Sequence, residues 1–206
     1  MRASWVSSFS DGKAVCGFPT KKLSGINFKR YGFIDKTGKV VIEPQFDYAM
    51  NFQDGIACIA EVVDVGKKKI KYGFIDDKGN WIIKPVFDDV FRGWVLEHHE
   101  CARFSEGVIA AAIKYGKHEK RWGYVNKSGE WIIKPKYYAA YNFNNGLAKV
   151  KFSDSEWGYI DKTGMFIWKS DALRRAEHVK IIGTLFGLSL IVIVLVLVRK
   201  YRKRRR

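Results

Sequence analysis

Residues 31–44 read YGFIDKTGKVVIEP, and nearly the same line returns at 72–85 (YGFIDDKGNWIIKP), at 122–135 (WGYVNKSGEWIIKP) and, altered at its end, at 157–170 (WGYIDKTGMFIWKS). Each copy opens on an aromatic-Gly pair and alternates large and small residues, the period-two pattern of a strand. Each then reaches a turn: Asp35-Lys36-Thr37-Gly38, Asp76-Asp77-Lys78-Gly79, Asn126-Lys127-Ser128-Gly129 and Asp161-Lys162-Thr163-Gly164. Asp or Asn at the first place caps a turn with its side chain, and Gly at the fourth accepts positive φ. The spacing therefore predicts a hairpin with a glycine bulge. A second strand follows, and in three copies it meets Pro44, Pro85 or Pro135, where the missing N–H is expected to stop the ladder.

Outward from this hairpin the pattern continues. A Phe-x-x-Gly element leads into a third strand at 52–61, 104–113 and 143–150, and Phe9 to Gly12 followed by Lys13 to Cys16 has the same form. The aromatic-Gly strands start at 31, 72, 122 and 157, a repeat of variable length. Pro to Phe is eight residues in two copies and nineteen in the second, so about eleven extra residues lie around 92–102. Along Tyr31, Gly32, Phe33 and Ile34 the aromatics share one face, and Gly32 leaves room on the other for a close neighbour. One three-stranded unit cannot bury both faces, so neighbouring units must complete the core. The expected architecture is an all-β array of stacked three-stranded antiparallel units, open and β-solenoid-like. It comprises a partial repeat over 1–16 and full repeats over 17–170.

These motifs resemble the WG-repeat family, whose units carry a Trp-Gly or Tyr-Gly strand, an Asp-x-x-Gly turn and a hydrophobic strand ending near Pro. The resemblance covers about residues 9–169, with Trp122-Gly123 and Trp157-Gly158 as the full signature and Tyr31 and Tyr72 as the Tyr form. It implies a β array used for binding or surface presentation, and it brings no catalytic residue with it.

The C-terminal part has a different character. Residues 181–198 read IIGTLFGLSLIVIVLVLV without a charge, and as a helix they would span roughly 27 Å, near the thickness of a hydrocarbon core. A single transmembrane α-helix is expected there, preceded by a juxtamembrane linker at 171–180. The 199–206 tail holds seven basic residues. By the positive-inside rule the tail is cytoplasmic and the body exported. Residues 1–15 contain no apolar signal core, so the body either stays cytosolic on a tail anchor or the sequence lacks its true beginning. Gly183 and Gly187 form a small-xxx-small pair that suits a homodimer through the membrane helix.

The 206-residue chain carries 37 Lys+Arg against 21 Asp+Glu, a formal charge of +16 of which the tail supplies seven. With 47% hydrophobic residues it is not a disordered polyelectrolyte, and three cysteines do not make a disulfide scaffold. Lys29-Arg30, Lys67-Lys68-Lys69 with Lys71, and Lys120-Arg121 precede three of the aromatic-Gly strands, so regular stacking places them on one rim facing a protein or an anionic polymer. No nucleic-acid motif is present. Glu97-His98-His99-Glu100-Cys101 offers metal donors inside the insertion, but adjacent donors do not converge on one ion, and no metal or cofactor is expected. Asp35, Asp76 and Asp161 are accounted for by the turn, and no nucleophile or phosphate-loop motif appears, so the expected function is non-enzymatic. Cys16 aligns with Ile59 and Val150 and is expected in the core.

Overall fold

Antiparallel sheets, four in number, make up the computed structural model, which describes residues 3–19, 29–66, 69–90, 104–117 and 119–179. The first sheet runs in chain order through β1 (Trp5–Val6), β2 (Lys13–Pro19), β3 (Lys29–Asp35) and β4 (Val40–Phe46). The second repeats it with β5 (Tyr48–Ala49), β6 (Ala57–Asp64), β7 (Lys69–Ile75) and β8 (Trp81–Phe87). In the third, β9 (Val108–Tyr115), β10 (Glu119–Asn126) and β11 (Trp131–Tyr137) follow an isolated bridge, Asp89 to Ala112, that stands where β1 and β5 stand. The fourth is β12 (Ala139–Ala140), β13 (Ala148–Lys151), β14 (Trp157–Ile160) and β15 (Phe166–Lys169).

Three of the four sheets are therefore four-stranded meanders rather than the three-stranded unit expected, because a short strand before Phe9, Phe52 and Phe143 pairs back on the strand after it; the third sheet keeps three strands and has the isolated bridge in that place. The pairing also cuts the chain at a different place from the sequence repeat. The strand after Phe52-x-x-Gly55 pairs forward with the next aromatic-Gly strand, Ile59 opposite Gly73, and not back with the hairpin that precedes it. In the same way β2, which follows Phe9-x-x-Gly12, pairs with β3, Cys16 opposite Gly32.

Two tight connections set each meander. In the first, Asp11-Gly12, Asp54-Gly55, Glu106-Gly107 and Asn145-Gly146 all have positive φ at both residues, the signature of a two-residue type I′ hairpin. Ser10 and Lys13 exchange backbone bonds across it at 2.8 and 3.0 Å. The second connection is the expected Asp-x-x-Gly turn. The N–H groups of Thr37 and Lys39 donate to Asp35 Oδ1 at 2.8 and 3.1 Å, and Gly38 sits at φ 84°. Asn126 does the same for Ser128 and Glu130 at 3.0 and 2.9 Å.

The prolines do not end their strands. β4, β8 and β11 each run two residues past Pro, because the proline lies in a bulge: Tyr31 faces Phe46 and Phe33 faces Ile42, so four residues of β4 span two of β3. At the bulge the bent strand leans over the glycine of the aromatic-Gly pair. A Cβ on Gly32 would lie 2.5 Å from the Ile42 carbonyl oxygen and 2.8 Å from Pro44 N, and Gly73 faces Ile83 and Pro85 in the same way. The close neighbour expected above this glycine is thus the backbone of its own sheet.

Consecutive sheets share cores. Val15, Phe33, Ile42 and Phe46 pack with Ala49, Phe52 and Ile59; Phe74, Ile83 and Phe87 with Val90, Phe104 and Val125; Tyr124, Ile133 and Tyr137 with Ala140, Phe143 and Ile160. The repeated contact is ring on ring: Phe52 on Phe33 at 4.7 Å, Phe104 on Phe74 at 5.2 Å, Phe143 on Tyr124 at 4.8 Å. Turn glycines close it, since Gly79 lies against Ile42, Gly129 against Ile83 and Gly164 against Ile133. Cys16 is buried, as its alignment with Ile59 and Val150 requires.

Beyond β15 the chain turns into a helix, α1 (residues 171–179), within the stretch read as a linker. Ser170 stands where the other copies have proline and caps α1: its Oγ accepts from Leu173 N–H at 3.3 Å and from Trp157 N–H at 3.2 Å. Among the described residues no helix is long and apolar enough to cross a membrane. The span expected at 181–198, with Gly183 and Gly187, the tail, and the insertion at 92–102 lie outside the described residues.

Candidate binding surface

Among the described residues the cations expected on the rim sit at the starts of the aromatic-Gly strands, and Arg30, Lys71, Lys120 and Arg121 are ion-paired. Arg30 reaches Asp47 at 2.8 Å and donates to the Gln45 carbonyl at 3.0 Å. Lys71, at the equivalent place one sheet on, reaches Asp88 at 2.8 Å and the Val86 carbonyl at 3.1 Å. The acids belong to the connectors between sheets and also accept from the next sheet: Val62 N–H donates to Asp47 at 2.9 Å, and Lys114 N–H to Asp88 at 2.8 Å. The third sheet has Tyr138 where Asp47 and Asp88 would recur, and there Arg121 turns to Glu119 at 2.8 Å and lies over the Tyr115 ring at 4.8 Å. Lys120 reaches back to Asp89 at 2.9 Å. Lys71 and Lys120 therefore meet on the two adjacent acids of one connector. Lys69 is exposed on β7 opposite Asp64. Lys67 and Lys68 lie outside the described residues.

Sequence reasoning counted these cations without their partners. The signal was present: Phe46-Asp47 and Phe87-Asp88-Asp89 follow the second strand in two copies, so an acid recurs with the cation. Near Arg30 a second carboxyl joins, and Glu61 is pushed up to about 7 by burial first, then by its hydrogen bond and like charge with Asp47, with Arg30 opposing. This group holds and releases a proton near neutral pH. The turn aspartates behave oppositely. The Thr37 hydroxyl and backbone N–H groups hold Asp35 below the usual carboxyl range, and Thr163 does so for Asp161.

Exposed cations stand instead on the last strand of the second and third sheets, an edge strand in each sheet order, whereas the same place holds an exposed Glu43 on β4 and, on β15, a Lys169 paired with Glu177 at 2.7 Å. Lys84 is exposed beside Val86 on β8, and Lys134 beside Ile132 on β11; Val41 and Ile167 are exposed on β4 and β15. The sequence carries this as IIKP at 82–85 and 132–135, where alternation sends Lys outward. Among the described residues no group of three or more His, Cys, Asp or Glu is placed to hold a metal ion, and the donors at 97–101 lie outside them. Cys16 and Cys58 are buried, and burial raises the Cys16 thiol, which keeps it neutral.

Comparison with curated proteins and with solved structures returns no match. The family described as WG containing repeat matches residues 31–61, 72–92 and 122–154. The first two segments begin on Tyr31 and Tyr72 and the third on Trp122, each the ring before the bulge glycine. Segment for segment these are the hairpin, the bulge and the start of the following sheet, and so residues 31–61, 72–92 and 122–154 are WG-containing β repeats in a β-sheet repeat protein.

Proposed function

We propose that the chain is a non-enzymatic, membrane-anchored repeat protein that presents a binding surface to a protein or anionic polymer partner. In this reading the sheets form an open, solenoid-like stack, 181–198 is a single membrane span, and the basic tail is cytoplasmic with the body exported. One observation carries it. The recurring residues are occupied within the fold: the glycines Gly32, Gly73 and Gly123 by the bulge, the turn acids by backbone N–H groups, and the Phe52, Phe104 and Phe143 rings by the preceding sheet. Facing outward on the edge strands of the second and third sheets are cations beside apolar side chains, Lys84 with Val86 and Lys134 with Ile132. Such a mixture suits an acidic, partly apolar partner.

The test uses the full chain in nanodiscs of neutral lipid, titrated with polyglutamate or polyphosphate. Binding is expected at low salt and to weaken as salt rises. Lys84→Glu with Lys134→Glu should weaken it about tenfold or more, given roughly 1 kcal/mol per surface cation. Binding that survives both this pair and the joint change of Lys67, Lys68 and Lys69 to Glu would remove the reading. A structural role is the second reading, resting on the Gly183/Gly187 spacing, with self-association through the membrane helix. Gly183→Ile should then abolish crosslinked dimers in the membrane.

A further inference from the structure

Among the described residues the interface that joins consecutive sheets is half-made on the first sheet and on the fourth. On the trailing side, toward the next sheet, two positions recur: Phe33, Phe74 and Tyr124 on the aromatic-Gly strand, and Ile42, Ile83 and Ile133 on the strand after it. All six are at most 7% exposed, covered by the following sheet. The same two positions in the fourth sheet are Tyr159 and Trp168, 39% and 42% exposed. On the leading side the recurring positions are Ala49, Val90 and Ala140, and Phe52, Phe104 and Phe143, none above 8% exposed. In the first sheet they are Val6 and Phe9, 43% and 47% exposed.

The two faces are complementary because the chain joins them three times within itself. We infer that the trailing face of the fourth sheet docks the leading face of the first sheet of a second copy of this chain, with Phe9 on Tyr159 and Trp168 over Gly38. Gly38 supports the pairing. Gly79, Gly129 and Gly164 each lie against an isoleucine of the preceding sheet, whereas nothing stands within 4 Å of a Cβ built on Gly38. That open space suits Trp168, larger than the isoleucines it replaces. The hairpin tips agree as well. Asp11 accepts from the Gly55 N–H at 3.0 Å and Glu106 from the Gly146 N–H at 3.1 Å; Asn145 holds the equivalent place in the fourth sheet, and its Oδ1 can accept from Gly12 of a second copy. The contact is heterologous, one face against a different one, so association is open-ended. A dimer through Gly183 and Gly187 would be two-fold and closed, and so distinguishable.

Sedimentation of the full chain in detergent micelles, with Phe9→Asp and Tyr159→Asp variants, tests this. Both side chains are exposed in the single chain, so each variant should keep the wild-type circular dichroism and melting temperature. The wild type should form species whose mass grows with concentration, and each variant alone should associate at least tenfold more weakly. An equimolar mixture of the two should recover a discrete dimer, since each retains the face the other has lost. If Tyr159→Asp disturbs the sheet, Trp168→Lys takes its place in the same scheme. A wild type that stays monomeric, single variants that associate as the wild type does, or a mixture no stronger than its components would each overturn the inference.

Discussion

Replacing Gly32 by alanine places a methyl carbon 2.5 Å from the Ile42 carbonyl oxygen, 2.8 Å from Pro44 N and 3.0 Å from the Glu43 carbonyl carbon. The first contact is roughly 1 Å inside the ~3.5 Å optimum for non-bonded heavy atoms. All three neighbours are backbone, so no side chain can swing away, and β4 must retreat from β3. Overpacking of this kind costs about 1–3 kcal/mol, and each ladder bond stretched beyond range adds about 1 kcal/mol. Alanine recovers about 0.4–1 kcal/mol by restricting the unfolded chain. The net expectation is a loss of about 2–4 kcal/mol, or about 5–15 °C in melting temperature for a chain of this size. Gly73→Ala should behave alike, with the Ile83 carbonyl oxygen at 2.5 Å. Gly66 is the control, because among the described residues a Cβ there meets only the Asp64 carboxyl oxygen at 3.6 Å; Gly66→Ala should stay within about 0.5 kcal/mol of wild type. Urea unfolding followed by tryptophan fluorescence on the full chain in mild detergent measures all three. A Gly32→Ala protein as stable as the Gly66→Ala protein would refute the bulge as the reason for glycine after the aromatic.

The other expectations concern the turn, a proton, and the rings. Asp35→Ala should lower the melting temperature by leaving two turn N–H groups to water, while Asp35→Asn should be nearly neutral, since Asn126 performs the same task. Because Asp35 and Asp161 are held below the usual carboxyl range, their contribution is present above the ordinary value near 3.8 and is lost as pH falls through the lower folded values. Acid titration of the Asn variants should show a shallower fall. Glu61 has the opposite sign: raised from 4.5 to about 7, its contribution is full below 4.5 and gone once pH passes about 7. Glu61→Gln should therefore gain melting temperature on wild type at pH 8.5 but not at pH 4.5, and equal gains at both would refute the assignment. Phe52→Ala should cost about 3–5 kcal/mol as a fully buried ring, against less than about 1 kcal/mol for the exposed Phe9→Ala in a dilute sample. Tyr137→Phe should be neutral or stabilising, because the buried Tyr137 hydroxyl has no partner among the described residues and Phe46 and Phe87 hold that position in the other sheets. Tyr124→Phe should lose about 1 kcal/mol with its 2.7 Å bond to the Tyr141 carbonyl.

Local chemistry is what the sequence carried without help. The Asp-x-x-Gly turn is legible because its hydrogen bonds join residues two and four apart, so residue type and spacing suffice. The type I′ turns are equally local, marked by Asp11-Gly12, Asp54-Gly55 and Asn145-Gly146, each lying inside a Phe-x-x-Gly element whose sequence also suits the approach to a strand. Burial of Cys16 followed from its place in the repeat.

Three matters depended on groups distant in the chain. The phase of the repeat was one, since a strand after Phe-x-x-Gly has neighbours on both sides in sequence and only the pairing of Ile59 with Gly73 shows which it joins. The prolines were another: a missing N–H ends a straight ladder, but at a bulge that position has no partner to donate to, so β4, β8 and β11 continue. The charges were the third. Lys and Arg can be counted from composition, yet whether they face a partner or an acid on the next connector depends on where Asp47 and Asp88 arrive, fifteen or more residues away. The sequence by itself determined the repeated hairpin and its turn, because those are settled within one unit. Only the tertiary structure decided how units join and which cations are spent on that joint.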